Sequence, residues 1–260
     1  MGVMCGRFAI TTDPALLAEK IKAIDEASSA GSAAAAPNYN VAPTDTIAAV
    51  VSRHSEPHDE PTRRVRLMRW GLVPSWTRAR PDGAPDTKGP LLINARADKV
   101  ATSPAFRTLA QGKRCLVPMD GWYEWRANPQ SAEGVAGKKA AKTPFFIHRN
   151  DGGLVCMAGL WSVWRPNGSA APLLSCTIIT TDAVGELAKI HDRMPLMLAE
   201  EDWDAWLNPD APLDPELLAR PPDLRDIELR QVSTLVNSVR NNGPELLAPA
   251  KPQPEQTTLL

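Results

Sequence analysis

Lys113-Arg114-Cys115-Leu116-Val117-Pro118-Met119-Asp120-Gly121-Trp122-Tyr123-Glu124-Trp125-Arg126 decides the class of fold. It reads as two short strands, 113–118 and 121–126, rich in apolar, β-branched and aromatic side chains. Outward from it, further short strands are expected at 7–11, 46–52, 64–70, 91–95, 144–149, 154–160 and 173–180. In 64–70, Val65 and Leu67 alternate with Arg66 and Met68, the period of a pleated strand. Asp13-Pro14 opens a helix to Ile24, with Asp as its cap and Pro in the first turn. Further helices are expected at about 182–190, 199–207 and 214–219. Residues 25–37, 77–90 and 127–143 carry the small, proline- or glycine-rich composition of loops, the last as a flexible hairpin tip. These elements predict one α+β domain over 4–249, a curved, barrel-like, mainly antiparallel sheet with peripheral helices, and a disordered tail at 250–260.

Composition narrows the function. The chain has 260 residues, 43% hydrophobic and 23% charged, with 29 basic against 30 acidic side chains. That balance excludes wholesale disorder and a bulk nucleic-acid coat, while leaving room for a local basic site. The 25 prolines favour loops and short strands over a helical bundle. No apolar run approaches the ~20 residues that span a bilayer, and residues 1–10 hold no secretory signal. The cytoplasm is the expected location, with nucleoid association when DNA is bound. The four cysteines show no CxxC spacing, so neither a zinc site nor a disulfide framework is expected. Cys115, Cys156 and Cys176 lie in apolar runs and read as buried small hydrophobes. His54 and His58 lie in a polar loop, where metal binding is not expected, and His148 reads as a surface residue.

Several residues could carry chemistry. Cys5 has no apolar neighbours; Gly6 permits close backbone approach, and Arg7 supplies a phosphate-sized fork. Trp122 and Glu124 would share one strand face, and a carboxylate beside an indole is poorly solvated, the environment of a general acid. The alternative is an exposed strand glutamate. His191 precedes Asp192-Arg193-Met194-Pro195; Pro195 forces the helix to end near it, where catalytic groups are often presented. Asn94 and Arg96 end a strand two apart on one face. The tryptophans come in pairs. Trp161, Trp203 and Trp206 read as core; Trp76 and Trp125 suit base stacking as well as core packing.

Taken in order, the stretches Met4-Cys5-Gly6-Arg7-Phe8, Asn38-Tyr39-Asn40-Val41-Ala42-Pro43, Trp70-Gly71-Leu72-Val73-Pro74-Ser75-Trp76, Ile93-Asn94-Ala95-Arg96-Ala97, Asp120-Gly121-Trp122-Tyr123-Glu124-Trp125, His191-Asp192-Arg193-Met194-Pro195 and Val236-Asn237-Ser238-Val239-Arg240 resemble the SOS-response-associated peptidase (SRAP) family of abasic-site processing proteins. The resemblance covers roughly 4–249. It departs at the prefix Met1-Gly2-Val3 and in the insertions near 25–36 and 127–141.

The resemblance implies an enzyme that covalently caps abasic sites in single-stranded DNA through a thiazolidine, with self-processing peptidase and lyase activities attached to the family. It implies Cys5 as nucleophile once residues 1–4 are gone, Asn94 positioning the amine or sugar, Glu124 promoting ring opening, and His191 as acid/base. Arg7, Arg96 and Arg193 would hold phosphates, Trp76 and Trp125 would lie near bases, and Asn40 would join the DNA-binding set. No metal or other cofactor is expected; the partner is single-stranded DNA, with no membrane, and the chain is expected to be a monomer. The chemistry needs an N-terminal cysteine, since only there do amine and thiol stand in 1,2 relation and close a ring intramolecularly. Translation from Met4, or self-cleavage of the prefix, would expose it. Two rival readings stay open: a cysteine peptidase or amidase pairing Cys5 with His191, and a non-covalent single-strand binder using Arg and Trp alone.

Overall fold

The computed structural model describes residues 6–28, 36–128, 141–166 and 171–251. Among the described residues, thirteen strands follow in chain order: β1 (Phe8–Ile10), β2 (Ile24–Asp25), β3 (Asn38–Val41), β4 (Thr46–Arg53), β5 (Thr62–Trp70), β6 (Asn94–Arg96), β7 (Arg114–Met119), β8 (Gly121–Ala127), β9 (Lys142–Arg149), β10 (Val155–Trp164), β11 (Leu173–Asp182), β12 (Arg193–Pro195) and β13 (Ile227–Gln231). The α-helices are α1 (Pro14–Lys20), α2 (Arg107–Ala110), α3 (Trp203–Leu207) and α4 (Pro215–Ala219).

Five strands close a barrel. Antiparallel pairing runs β5–β4–β7–β10–β11, and a parallel seam, Ser175 beside Arg69 and Cys176 beside Trp70, joins β11 back to β5. Side chains alternate across each strand. Ala49, Val51, Met68, Trp70, Cys115, Val117, Met119, Met157, Trp161, Cys176 and Ile178 form one buried cluster inside it. Val50, Val65, Leu116, Leu160 and Ile179 face the other way, onto the helices. The interior is therefore a packed core, as expected for a barrel this small. Gly159 lies in the inward row, where a Cβ would stand 2.8 Å from the Thr177 carbonyl and 2.9 Å from Cys115 Sγ.

A second sheet, ordered β13-β9-β8-β1-β3, covers one mouth of the barrel. The chain leaves the barrel at Met119 and enters this sheet at Gly121. A Cβ at Gly121 would lie 2.4 Å from the Ile147 carbonyl, so the crossing needs glycine. The expected single α+β domain with a barrel-like sheet is what forms.

Some boundaries differ from expectation. α1 stops at Lys20 instead of Ile24. Ala23 N–H reaches back to the Ala18 carbonyl and Lys22 N–H to Glu19, with Lys22 at φ 52°. That Schellman closure ends the helix and frees Ile24–Asp25 to pair with β5. Residues 182–190 are not an α-helix: β11 keeps its pairing with β12 through Asp182, and only a 3₁₀ turn follows at Gly185–Lys189. Residues 199–207 divide into a 3₁₀ turn and α3. Only Asn94–Arg96 of the expected 91–95 strand enters the ladder. β3, β12 and β13 were not expected. His148 is buried, stacked on Phe146 at 5.1 Å, and not on the surface. Trp161 and Trp206 are core; half-buried Trp203 packs against it. Most of the 127–143 tip, part of the 25–37 loop, and residues 252–260 of the tail lie outside the described residues.

Candidate functional site

β1 sets the site's register. Phe8 pairs with Trp122 and Ala9 with Gly121, and Tyr123 N–H donates to the Arg7 carbonyl at 3.0 Å. Continued one step past the Arg7–Tyr123 bond, the same antiparallel register points Gly6 toward the level of Glu124. Trp122 and Glu124 share the face turned to the barrel, as their spacing requires, and Glu124 is 4% exposed. Cys5 lies outside the described residues. The other three cysteines are buried, and burial pushes the thiols of Cys156 and Cys176 up to about 12. They stay protonated and unreactive at neutral pH.

Arg7 and Asn40 form the opposite side of the strand. Arg7 Nη1 donates to Asn40 Oδ1 at 2.7 Å and to the Val236 carbonyl at 3.0 Å. Asn40 Nδ2 donates in turn to the carbonyls of Val236, Ser238 and Asn241. Trp125 Nε1 donates to Asn237 Oδ1 at 2.7 Å. The Val236–Arg240 motif is thus strapped onto β1, β3 and β8. Burial lowers the proton affinity of Arg7, opposed by the nearby charge of Asp45.

Asn94, Arg96, His191 and Arg193 flank the end of β11. β6 runs parallel to one edge, Asn94 beside Ile178 and Arg96 beside Thr180. β12 runs antiparallel along the other, Thr180 beside Pro195 and Asp182 beside Arg193. One strand of about 4.8 Å spacing separates each from β11, so the two edges stand about 10 Å apart. Phe8 packs on Trp70 at 5.1 Å, and Trp70 Nε1 donates to the Ile93 carbonyl at 3.1 Å. This chain of contacts ties β1 to the residue before Asn94.

The charges at this mouth differ in freedom. Arg96 is exposed, and its bond to Asp98 raises its proton affinity. Arg193 is 7% exposed and donates to Asp182 and to the Thr180 carbonyl. His191 Nδ1 lies 3.1 Å from Arg193 N–H and 2.7 Å from Asp192 Oδ1. A neutral ring accepts from the former at Nδ1; a protonated ring donates to the latter. Trp76 stands apart from this group. It is 61% exposed on a turn held by Val73 N–H to Ser175 Oγ and by Trp164 Nε1 to the Thr77 carbonyl, toward the start of β11. Sequence reasoning missed Asn237 and Asp182 as anchors; Asn237 lay in a quoted motif but carried no role.

A closed barrel with a second sheet over one mouth, and polar groups from five distant segments gathered there, defines the class of molecule. The sequence pattern of the SOS response associated peptidase (SRAP) family matches residues 4–239, and the chain belongs to that family. It is 38% identical over 250 residues to the abasic site processing protein YoqW of Bacillus subtilis, across 94% of this chain and 99% of that one. It is 33% identical over 237 residues to the abasic site processing protein HMCES of Gallus gallus, across 82% of this chain and 66% of that one. A solved protein from Bacteroides thetaiotaomicron shares the fold, with a TM-score of 0.77 at 24% identity over 95% of this chain and all of that one.

Proposed function

We propose that this chain processes abasic sites in single-stranded DNA by covalent capture through Cys5 as the N-terminal residue. The α-amine condenses with the open-chain aldehyde of the abasic sugar, releasing water and leaving a Schiff base. The thiol adds to the same carbon, its proton passes to the nitrogen, and a five-membered thiazolidine closes. An α-amine titrates near ~7.7–8.0, so roughly a tenth is neutral and nucleophilic at pH 7.

The observation that carries this reading is the β1–β8 pairing, Phe8 beside Trp122 and Tyr123 N–H on the Arg7 carbonyl, which lays the start of the described chain along the strand that carries buried Glu124. Glu124 transfers the proton that opens the closed sugar, and His191 acts as acid/base in Schiff-base chemistry through Nε2, its Nδ1 being engaged. Asn94 positions the amine or sugar. Arg96 contacts phosphate; Arg7 and Arg193 add positive charge held in place by protein acceptors, and Asn40 fixes Arg7. Trp76, being exposed, is free to stack on an unpaired base, and Trp125 borders the strand's path. Single strands are favoured, because reaching the sugar needs a splayed backbone. The protein acts as a monomer.

The test is a time course on an abasic single strand, read on denaturing gels beside binding to undamaged strand. Wild type should form a heat-stable adduct and Cys5→Ala none. Glu124→Gln and His191→Ala should slow capture by about 100–10,000-fold at unchanged affinity. Adduct from Cys5→Ala at the wild-type level defeats the reading. A thiol-only peptidase would instead tolerate residues before Cys5 and leave no DNA adduct.

A further inference from the structure

The barrel's other mouth carries a feature that the first does not explain. Inward-facing positions recur every second residue along each strand. On β4 the row Ala49, Val51 ends on Arg53. On β5 the row Trp70, Met68 runs on to Arg66. The β7 row is extended by Lys113, just before the strand and ahead of Cys115, and the β10 row passes Trp161 to Arg165, just beyond the strand's end. Four of the five rows therefore bring a cation to this mouth. These residues line a cavity of about 610 Å³ floored by Trp161, within the range of pockets that hold small ligands.

No carboxylate lines that cavity among the described residues. Arg66 is bound to Glu26 at 3.1 Å, and His54, also on the rim, to Asp210 at 3.0 Å. Lys113 Nζ lies 5.6 Å from the centroid of the Trp161 ring. Arg53 and Arg165 are exposed and form no ion pair among the described residues. The ladder fixes this convergence: Trp161 N–H donates to the Lys113 carbonyl at 2.9 Å, and Val163 pairs with Leu174. Like charges held together repel, and an anion with several oxygens offsets the repulsion. Lys113, just before β7, stands six residue steps from Met119 at its far end, about 20 Å, so this rim is remote from the Glu124 mouth.

We propose that this second mouth is a binding site for a phosphate-bearing ligand of nucleotide size, either a free nucleotide or a stretch of nucleic-acid backbone. It holds the phosphates on Arg53, Lys113 and Arg165, with Arg66 already neutralised. The site does not depend on the covalent chemistry proposed for Cys5.

The test uses the full chain with Arg53→Gln, Lys113→Gln and Arg165→Gln combined, and probes that contain no abasic site. Adenosine triphosphate is titrated by calorimetry, and an undamaged single strand is titrated at several salt concentrations. A free-nucleotide site gives wild-type binding of the triphosphate that weakens at least tenfold in the variant. A backbone site gives a salt-dependence slope that falls by about 2, near 0.7 for each lost contact. Either result supports the site. No triphosphate binding by wild type, together with an unchanged slope, overturns it. Should the triple variant fail to fold, Arg165→Glu alone is read in the same two titrations.

Discussion

Asn40 is 3% exposed and uses both ends of its amide, accepting from Arg7 and donating toward three carbonyls of the 236–241 segment. Asn40→Ala leaves those groups without partners, at about 1–3 kcal/mol for a buried unsatisfied group. We expect about 2–4 kcal/mol lost in urea unfolding, with faster hydrogen exchange at 236–241. Asn40→Asp should not rescue it, because a carboxylate turns lone pairs toward carbonyl oxygens; a loss under about 0.5 kcal/mol would contradict this role. Asp120 makes a second test at this scale. Burial raises its proton affinity, although Thr11 N–H donates to its Oδ2 at 2.8 Å. A raised folded pKa means its stabilising contribution is full below its ordinary value of ~3.9 and is lost as pH rises through the raised value. Asp120→Asn keeps an acceptor for Thr11 without the buried charge. Its melting midpoint at pH 7 should rise by a few degrees, about 2–4 °C for each kcal/mol. The gain should vanish toward pH 3; a lower midpoint at pH 7 would refute the account of Asp120.

At the scale of elements, Arg114 fastens two short helices to β7. It is 3% exposed and donates to the carbonyls of Ala110, Gln111, Trp206, Asn208 and Ala211. α2 and α3 have four and five residues, too few to persist alone. Arg114→Met should therefore cost about 3–5 kcal/mol by stranding their terminal carbonyls. Denaturant titration checks this, and a loss near 1 kcal/mol would mean apolar packing suffices. Gly121→Ala should cost at least as much, since its Cβ meets backbone that neighbouring strands hold fixed. The barrel strands were legible in the sequence because apolar patterning sustained over six to ten residues outweighs local propensity. β12 and β13 were not: Arg193-Met194-Pro195 carries no alternation, and its pairing is set by β11. Residues 183–190 compose like a helix, yet Gly185 sits at φ 58° and the turn stays 3₁₀. The candidate site was readable as residue types in spaced motifs. The Trp125–Asn237 bond was not, with its partners 112 positions apart.

The whole molecule is a packed barrel with two unlike mouths. One is covered by the second sheet and gathers Arg7, Asn40, Asn94, Arg96, Glu124, His191 and Arg193 from five segments; the other is a bare cationic rim. Because the interior is closed, the two mouths should act independently. Rim variants should leave capture of a short abasic strand, too short to reach 20 Å, within about twofold of wild type. The central claim is that Cys5 reacts through both its amine and its thiol as the first residue of the chain. The most direct measurement is mass spectrometry of the peptide carrying the adduct, after capture of an abasic single strand and digestion. The account predicts a peptide beginning at Cys5, with Met1–Met4 absent, heavier by the sugar fragment less one water. An adduct on a peptide that retains Met4, or on any other residue, would contradict it.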